Sequence, residues 1–474
     1  MSRTAFIAVD LGAQSGRVML GVFADDGFSL EEVHRFTNTP VVVGADLCWD
    51  VEALFEQTLA GLALAVAAAK AAEAPIGGIG VDGWGVDYGL VDADLRLVAP
   101  VRHYRATTEE TMREALSHVP DSRAYAITGI DPLPINTCFQ LFRDARRGML
   151  TGTRALLTPD LWTAWLCGAV GAERSIASTT GLIDRDTLHW SAELMAAWSI
   201  PADVLPDLVP SGTIAGWTTD RVTERIGATS PIPVVRCPAH DTACAFASIA
   251  DPDDGQAVIS CGTWALVGCS TKVPVRSAQA HALGFTNEEG ADGAITLIRN
   301  LSGTWLLDEC LRDWHDITGE SISELRARLI AKAAERPSSQ HTIDVSAIEL
   351  LEPGDMPARL NAIHRREHGD RDLEPHELVR LIIDSLAEAF AATVRDAGDL
   401  TGHRLERIHM LGGGANIPLL VERTAEASGL PVHVGSPEAT SLGNVCVQAV
   451  ASGMMPSIAA ARRRTAAGGT GRAW

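Results

Sequence analysis

The stretch that decides the fold is Ala5-Phe6-Ile7-Ala8-Val9-Asp10-Leu11-Gly12-Ala13-Gln14-Ser15-Gly16-Arg17. Residues 5–10 are an apolar run closed by a carboxylate, which reads as a buried strand. Gly12 and Gly16 punctuate a turn, and a second apolar run over 18–23 follows, so the segment reads as a β-hairpin with a polar tip. Asp10, at the strand end, is placed to hold Mg²⁺ through water, because that ion dehydrates reluctantly. The backbone N–H groups and hydroxyl of Ala13, Gln14, Ser15 and Gly16, with the cation of Arg17, suit phosphate oxygens. The same residues also suit an ordinary hairpin tip, so the chemistry needs support from elsewhere in the chain.

Outward from the hairpin, Asp50 is a helix cap before an Ala- and Leu-rich helix over 51–72, and residues 78–91 return to strand-like spacing. The second half begins again in the same way. Residues 257–260 read as a strand, Cys261-Gly262-Thr263 as a turn and 264–268 as a return strand, with a helical segment later, over 374–395. Residues 407–411 then read as a strand, Gly412-Gly413-Gly414 as a turn, and 417–428 as a helix. The recurrence predicts two α/β domains of one kind, 1–247 and 248–474, with residues 468–471 in a frayed tail.

A chain of 474 residues is long enough for such domains to bury separate cores. Its formal charge of -21 disfavours nucleic acid and anionic membranes, which are bound through clustered Lys and Arg. A composition 46% hydrophobic and 21% charged, without an uninterrupted apolar run of about 18 residues, predicts a soluble globular protein. Nine dispersed cysteines, with no Cys-x-x-Cys pair, suit a reducing compartment, and the N-terminus lacks signal-peptide features. The expectation is a cytoplasmic protein, monomeric or homodimeric, with small-molecule partners.

Two motif matches are set aside. Gly78-Ile79-Gly80-Val81-Asp82-Gly83 has dinucleotide-binding spacing, but Trp84-Gly85-Val86-Asp87-Tyr88 does not open a helix. His364-Arg365-Arg366-Glu367-His368 has zinc-protease spacing inside a strongly charged run that suits a solvated surface. No Gly-x-x-x-x-Gly-Lys sequence is present, so a nucleotide site needs another architecture.

The remaining candidates form an ordered set. Asp241, in Pro238-Ala239-His240-Asp241-Thr242, follows an apolar stretch and precedes a helix-like run, where an N-cap with a low pKa is expected. Trp84 can lay an aromatic face against a sugar while Asp87 accepts its hydroxyls, although a buried core tryptophan suits the pattern equally. Asn300 is either a hydroxyl reader or a turn residue. Gly412 to Gly414 lack side chains where an adenine or ribose would approach the backbone.

Taken together, the Asp10 hairpin, the His240-Asp241-Thr242 junction, the Gly262-Thr263 hairpin and the 412–414 turn resemble the FGGY carbohydrate kinases. The resemblance covers nearly the whole chain. It implies an actin-like ATPase fold, with two ribonuclease-H-like domains closing a central cleft on a ketose and MgATP. Domain 1–247 would carry the sugar site and phosphate loop, and domain 248–474 the nucleotide. Asp241 would be the catalytic base; Gly85, Trp84, Asp87, His240, Thr242 and Asn300 would face the sugar. Ala13 to Arg17, Thr263, Asp308, Gly413 and Gly414 would hold ATP, and Asp10 the Mg²⁺. Residues 81–87, 261–264, 285–288 and 440–444 are most similar to members acting on the C1 hydroxyl of L-rhamnulose. Fuculose, xylulose or a tetrulose is the alternative, and a non-catalytic protein of the actin-like superfamily a third reading. Asp308 replaces an expected glutamine, Glu289 a glycine and Ala106 an aspartate, and Asn416 falls one place early.

Overall fold

The computed structural model describes residues 3–466 apart from 26, 250–253, 292, 340, 351 and 370, together with 472–473. The chain divides into two compact units. The first is Met1–Pro252, Lys272–Thr296 and Glu438–Thr470; the second is Asp253–Thr271, Leu297–Pro437 and Gly471–Trp474. These compact units differ from a single cut at 247/248 in that two later segments, 272–296 and 438–470, pack with the first unit. The expected tail at 468–471 lies outside the described residues.

The first unit is built on β1 (Arg3–Leu11), β2 (Ser15–Ala24), β3 (Gly27–Thr37), β4 (Ile76–Gly83), β5 (Thr213–Trp217) and β6 (Pro233–Arg236). They lie side by side in the order β5-β6-β4-β1-β2-β3. The hairpin is present as expected, with Asp10 opposite Arg17 and Leu11 opposite Gly16. β1 runs parallel to β4, Asp10 beside Asp82. A central strand covered on both faces reads as an apolar run, and β1 is apolar over residues 5–9 before Asp10 closes it. Alternate side chains Ala5, Ile7, Val9 and Leu11 share one core with Leu54, Leu59 and Leu62 of α1 (Val51–Ala71). Phe6 and Ala8 point the other way, into a cluster with Met19, Phe23, Val445 and Ala449.

Asp50 caps α1 by accepting from Ala53 N at 3.1 Å. By length and composition α1 is apolar enough to cross a membrane, the one such helix among the described residues. Its buried side instead packs into the sheet, where each fully buried leucine contributes roughly 1.5–3 kcal/mol. The unit also contains α2 (Thr137–Arg146), α3 (Arg174–Ser178) and α4 (Asp241–Ala247).

The second unit repeats the plan. β7 (Gln256–Cys261) and β8 (Trp264–Thr271) form an antiparallel hairpin. The chain passes through β9 (Phe285–Glu289), which belongs to the first unit, and crosses back along β10 (Ile295–Ser302). α5 (Trp305–Thr318) and the long α6 (Pro375–Thr401) follow, then β11 (Arg407–Leu411), α7 (Pro418–Ser428) and β12 (Val432–Val434). Within this unit the strand order is β10-β8-β7-β11-β12 followed by the two-residue strand Arg472–Ala473, with β11 parallel to β7. An antiparallel hairpin whose first strand is flanked by a later parallel strand thus occurs in both units. Leu378, Ile382 and Leu386 of α6 are buried in the core beneath this sheet.

α8 (Ala439–Ala451) returns to the first unit and explains the glycines that mimic a dinucleotide motif. Gly78 and Gly80 lie inside β4, with α8 against them. A Cβ on Gly80 would stand 2.4 Å from Asn444 Oδ1 and 2.4 Å from Cys237 Sγ. A Cβ on Gly443 would stand 1.8 Å from the Cys244 carbonyl oxygen, so α8 and α4 touch through backbone. The other excluded motif lies on the helix Met356–His368, where His364 is buried rather than solvated. Among the described residues no group of three or more His, Cys, Asp or Glu side chains is arranged to hold a metal.

Candidate active site

The parallel strands β1, β4 and β6 of the first unit end together. Trp84 N donates to Leu11 O at 3.1 Å, Gly83 N to Ala239 O at 2.9 Å, and Gly83 bridges to His240. These bonds bring the hairpin tip, the Trp84–Asp87 segment and the start of α4 to one place. Carboxyl ends of parallel strands are where open α/β sheets bind ligands.

At the hairpin tip, Gly12 N donates to Ser15 O at 3.0 Å, closing a tight turn. Asn38 pins it, its Nδ2 donating to Gly12 O at 2.9 Å and its N to Gln14 O at 3.0 Å. Arg17 donates through Nε to Asp10 Oδ2 at 2.8 Å and also pairs with Glu438. Burial opposes its charge, but the two carboxylates more than restore it.

Asp82, beside Asp10 in the register, is fully buried. Burial, then the neighbouring charge of Asp10, pushes its carboxyl well above the usual range. Asn444 Nδ2 donates to Asp82 Oδ2 at 2.6 Å, and Gln448 Nε2 donates to Asn444 Oδ1 at 2.7 Å. Neither Asp82 nor Asn444 was singled out from sequence as a site residue.

Asp87 departs from its expected part. It is buried, and both oxygens already accept: Oδ2 from Trp49 Nε1 at 2.6 Å and Trp84 Nε1 at 3.0 Å, Oδ1 from Gln140 Nε2 at 3.1 Å. It therefore fixes two indoles rather than offering an oxygen to a sugar hydroxyl. Burial raises its pKa to about 6 in spite of these donors. Trp84 is likewise buried, tilted against Trp49 at 4.8 Å, and Trp49 stacks on His103 at 4.2 Å. Burial and then Arg105 lower the His103 pKa to about 3, so this aromatic wall is neutral.

Between the tryptophan and the carboxylate, Val86 adopts φ 70°, a left-handed conformation costly for a β-branched residue. Its carbonyl accepts from Thr137 Oγ1 at 2.7 Å and Gln140 Nε2 at 3.2 Å, both on α2, which hold the strained turn. Gly85 faces Thr179, whose Oγ1 would lie 3.2 Å from an added Cβ.

Asp241 is the first residue of α4, and His240 is the cap, without a side-chain capping bond. The expected low pKa is also reversed: burial chiefly, and Asp10, raise it against the opposing effects of His240 and Thr242. Its side chain keeps 34% of its surface, so water screens part of this effect. Oδ1 accepts from Thr242 N at 2.5 Å and Thr242 Oγ1 at 3.1 Å. His240 Nε2 lies 3.5 Å from Asp241 Oδ1, and Nδ1 lies 2.9 Å from Glu288 Oε2 on β9. The junction is anchored from below, because Ala239 N donates to Glu173 Oε2 at 2.8 Å and His240 N to Ser175 Oγ at 3.2 Å. Glu289, the departure from glycine, is a structural tie: it accepts from Arg174 Nε at 2.5 Å and lies 3.5 Å from Arg185 Nη1.

In the second unit, Thr263 sits in the β7–β8 turn, its carbonyl accepting from Gly303 N at 3.0 Å. Asp308 accepts from Thr304 Oγ1 at 2.9 Å and pairs with Arg326. Thr304 Oγ1 also lies 3.1 Å from Gly262 O, its one proton serving either acceptor, so Thr304 and Asp308 brace the turn. Burial is the main influence raising its pKa. Gly412 has φ 80°, and a Cβ on Gly414 would stand 2.3 Å from Cys261 Sγ. These two glycines are required by close packing on β7, whereas Gly413 faces open space. Asn300 lies on β10. The structure thus groups Asp10, Ala13 to Arg17, Trp84, Gly85, Asp87 and His240 to Thr242 in the first unit. It places Thr263, Asn300, Asp308, Gly413 and Gly414 in the second.

A hairpin-and-parallel-strand plan present in both units, with polar turns at the strand ends, suits a phosphotransferase, and the sequence decides it. Residues 5–247 match the N-terminal domain and residues 257–452 the C-terminal domain of the FGGY family of carbohydrate kinases, and the chain belongs to that family. It is an ATP-dependent sugar kinase. It is 33% identical over 462 residues to the rhamnulokinase of Bacteroides thetaiotaomicron, across 97% of this chain and 93% of the relative. Likeness to the rhamnulokinase of Enterococcus faecalis is 33% over 468 residues, covering 98% and 92%. The xylulose kinase from Rhodospirillum rubrum superposes with a TM-score of 0.77 at 17% identity, over 100% of this chain and 93% of that one. The gluconate kinase from Lactobacillus acidophilus does so at 0.78 and 13%, with the same coverage. These establish the expected fold of two ribonuclease-H-like domains.

Proposed function

We propose that the chain transfers the γ-phosphoryl group of ATP to the C1 hydroxyl of L-rhamnulose, giving L-rhamnulose 1-phosphate and ADP. The observation that carries this reading is the 32–33% identity to rhamnulokinases, sustained over more than nine-tenths of the chain. Asp241 accepts the hydroxyl proton. Its raised pKa suits that task, because a base is most effective when its pKa lies nearer the working pH. Gly85, Trp84, His240, Thr242 and Asn300 face the ketose, and Asp87 serves by fixing the Trp84 and Trp49 rings. Ala13 to Arg17, Thr263, Asp308, Gly413 and Gly414 serve the nucleotide.

The carboxylates fit Mg²⁺ only as outer partners. Asp10 already accepts from Arg17, and no three-ligand cage exists among the described residues. An ion that keeps most of its water and takes phosphate oxygens suits this arrangement. When bound, Mg²⁺ would neutralise phosphate charge; Asp10 would orient its water shell. The nine cysteines are all free, which supports a reducing, cytoplasmic setting. A panel of ketoses in a coupled ADP assay tests the substrate: L-rhamnulose is expected to give the highest kcat/KM, and faster turnover of fuculose, xylulose or a tetrulose would overturn it.

A further inference from the structure

Glu288 is outside every role assigned above, yet it is the partner of the residue next to the proposed base. The side chains of Glu288, His240 and Asp241 form a line, carboxylate to imidazole to carboxylate. Nδ1 is 2.9 Å from Glu288 Oε2 and Nε2 is 3.5 Å from Asp241 Oδ1. The ring is buried, and its own backbone is fixed by Ser175 and, through Ala239, by Glu173. Glu288 is equally fixed. It lies on β9 between Asn287, which accepts from Val275 N at 2.7 Å, and Glu289, which is paired with Arg174.

We propose that Glu288 is a positioning residue for the sugar kinase reaction, holding His240 as an imidazolium whose Nε2 face sets the charge state and orientation of Asp241. Asp241 faces the like charge of Asp10 on β1, while Asp82 on β4, which interacts with both, is itself pushed toward its neutral form by burial and Asp10. Arg17 on β2 is committed to Asp10 and Glu438. His240 is thus the cation beside Asp241. Burial works against a charged ring, but Glu288 first, then Asp241 and Glu173, raise its pKa to about 9. The Nδ1 contact does not satisfy hydrogen-bond direction, so the charge of Glu288 is its larger effect.

This inference rests on Asp241 being the base, and the test separates the two. In Glu288→Gln the ring loses its main counter-charge and becomes neutral at lower pH. Asp241 then keeps its proton to higher pH, and the acidic limb of the kcat/KM profile is expected to rise by about one pH unit, a tenfold loss on that limb. Glu288→Asp, keeping the charge, is expected to restore the limb toward that of the parent. A uniform loss at every pH, with the limb unmoved, would mean that Glu288 only supports the fold and would overturn the proposal. Should Glu288→Gln fail to fold, the parent decides. With ¹³C-histidine labelling and assignment by His240→Gln, the His240 ring is expected to stay protonated above neutral pH. Titration at or below the ordinary histidine value of about 6.5 would overturn it. That titration needs no turnover, so it stands whether or not Asp241→Asn is inactive.

Discussion

Trp49→Phe removes one of three side-chain donors from a buried carboxylate while keeping an aromatic ring. Trp49 Nε1 donates to Asp87 Oδ2 at 2.6 Å, and Trp84 Nε1 and Gln140 Nε2 remain as partners. A hydrogen bond to a charged group contributes roughly 1.5–3 kcal/mol, and one pKa unit corresponds to about 1.4 kcal/mol. Losing this donor should therefore raise the Asp87 pKa from about 6 by a further 1–2 units. The sign follows from the folded pKa lying above the unfolded one. Stability from this group is fully present below the unfolded value of about 3.9 and is lost as pH rises through the folded pKa. The variant carries more of that loss. Its deficit relative to the parent should be small near pH 5 and grow to roughly 1.5–3 kcal/mol above about pH 8, on a pH-independent offset from repacking. Denaturation followed by circular dichroism at a series of pH values reads this directly. A deficit that is constant across the range would refute the claim that Asp87 is an ionising anchor of the two indoles. On the proposed function, in which Trp84 serves the ketose, the sugar KM should rise more than the ATP KM.

Gly443→Ala places a methyl group 1.8 Å from the Cys244 carbonyl, an overlap that backbone shift must relieve. A loss of about 1–3 kcal/mol or more is expected as a lowered unfolding midpoint, with turnover impaired because α4 carries Asp241. Asn444→Ala leaves Asp82 Oδ2 without its 2.6 Å donor and should cost about 1–3 kcal/mol, measured by thermal denaturation of soluble protein. Asp10→Ala releases Arg17 and should shift the Mg²⁺ concentration needed for half-maximal turnover upward; an unchanged Mg²⁺ titration would count against a metal role there.

What the sequence made legible was local. The β1–β2 hairpin, the capped helix α1, the Cys261-Gly262-Thr263 turn and the glycine turn before α7 are all set by apolar runs and turn residues within a few positions of each other. Residues that meet only through the tertiary fold were not legible. Trp49 reaches Asp87 from 38 positions away and Asn444 reaches Asp82 from 362, so no spacing rule announces either contact. The glycines of β4, whose dinucleotide-like spacing is set aside from sequence, have another physical reason. Gly78 and Gly80 do permit a close approach, but what approaches is α8 rather than a pyrophosphate. At Asp241 the helix begins one residue earlier than expected, with His240 as the cap, and a cap position alone suggests a low pKa. Burial and Asp10 reverse it, and both come from strands distant in sequence. His240 and Glu288 are 48 positions apart, so no local pattern marks them as a pair.

The most direct test is the turnover of Asp241→Asn with a ketose and ATP, measured beside nucleotide binding in the same preparation. Loss of the carboxylate should lower kcat by about 10²–10⁴ while ATP affinity changes little. Turnover within a few-fold of the parent, with the nucleotide still bound, would contradict the assignment of Asp241 as the group that takes the sugar's proton.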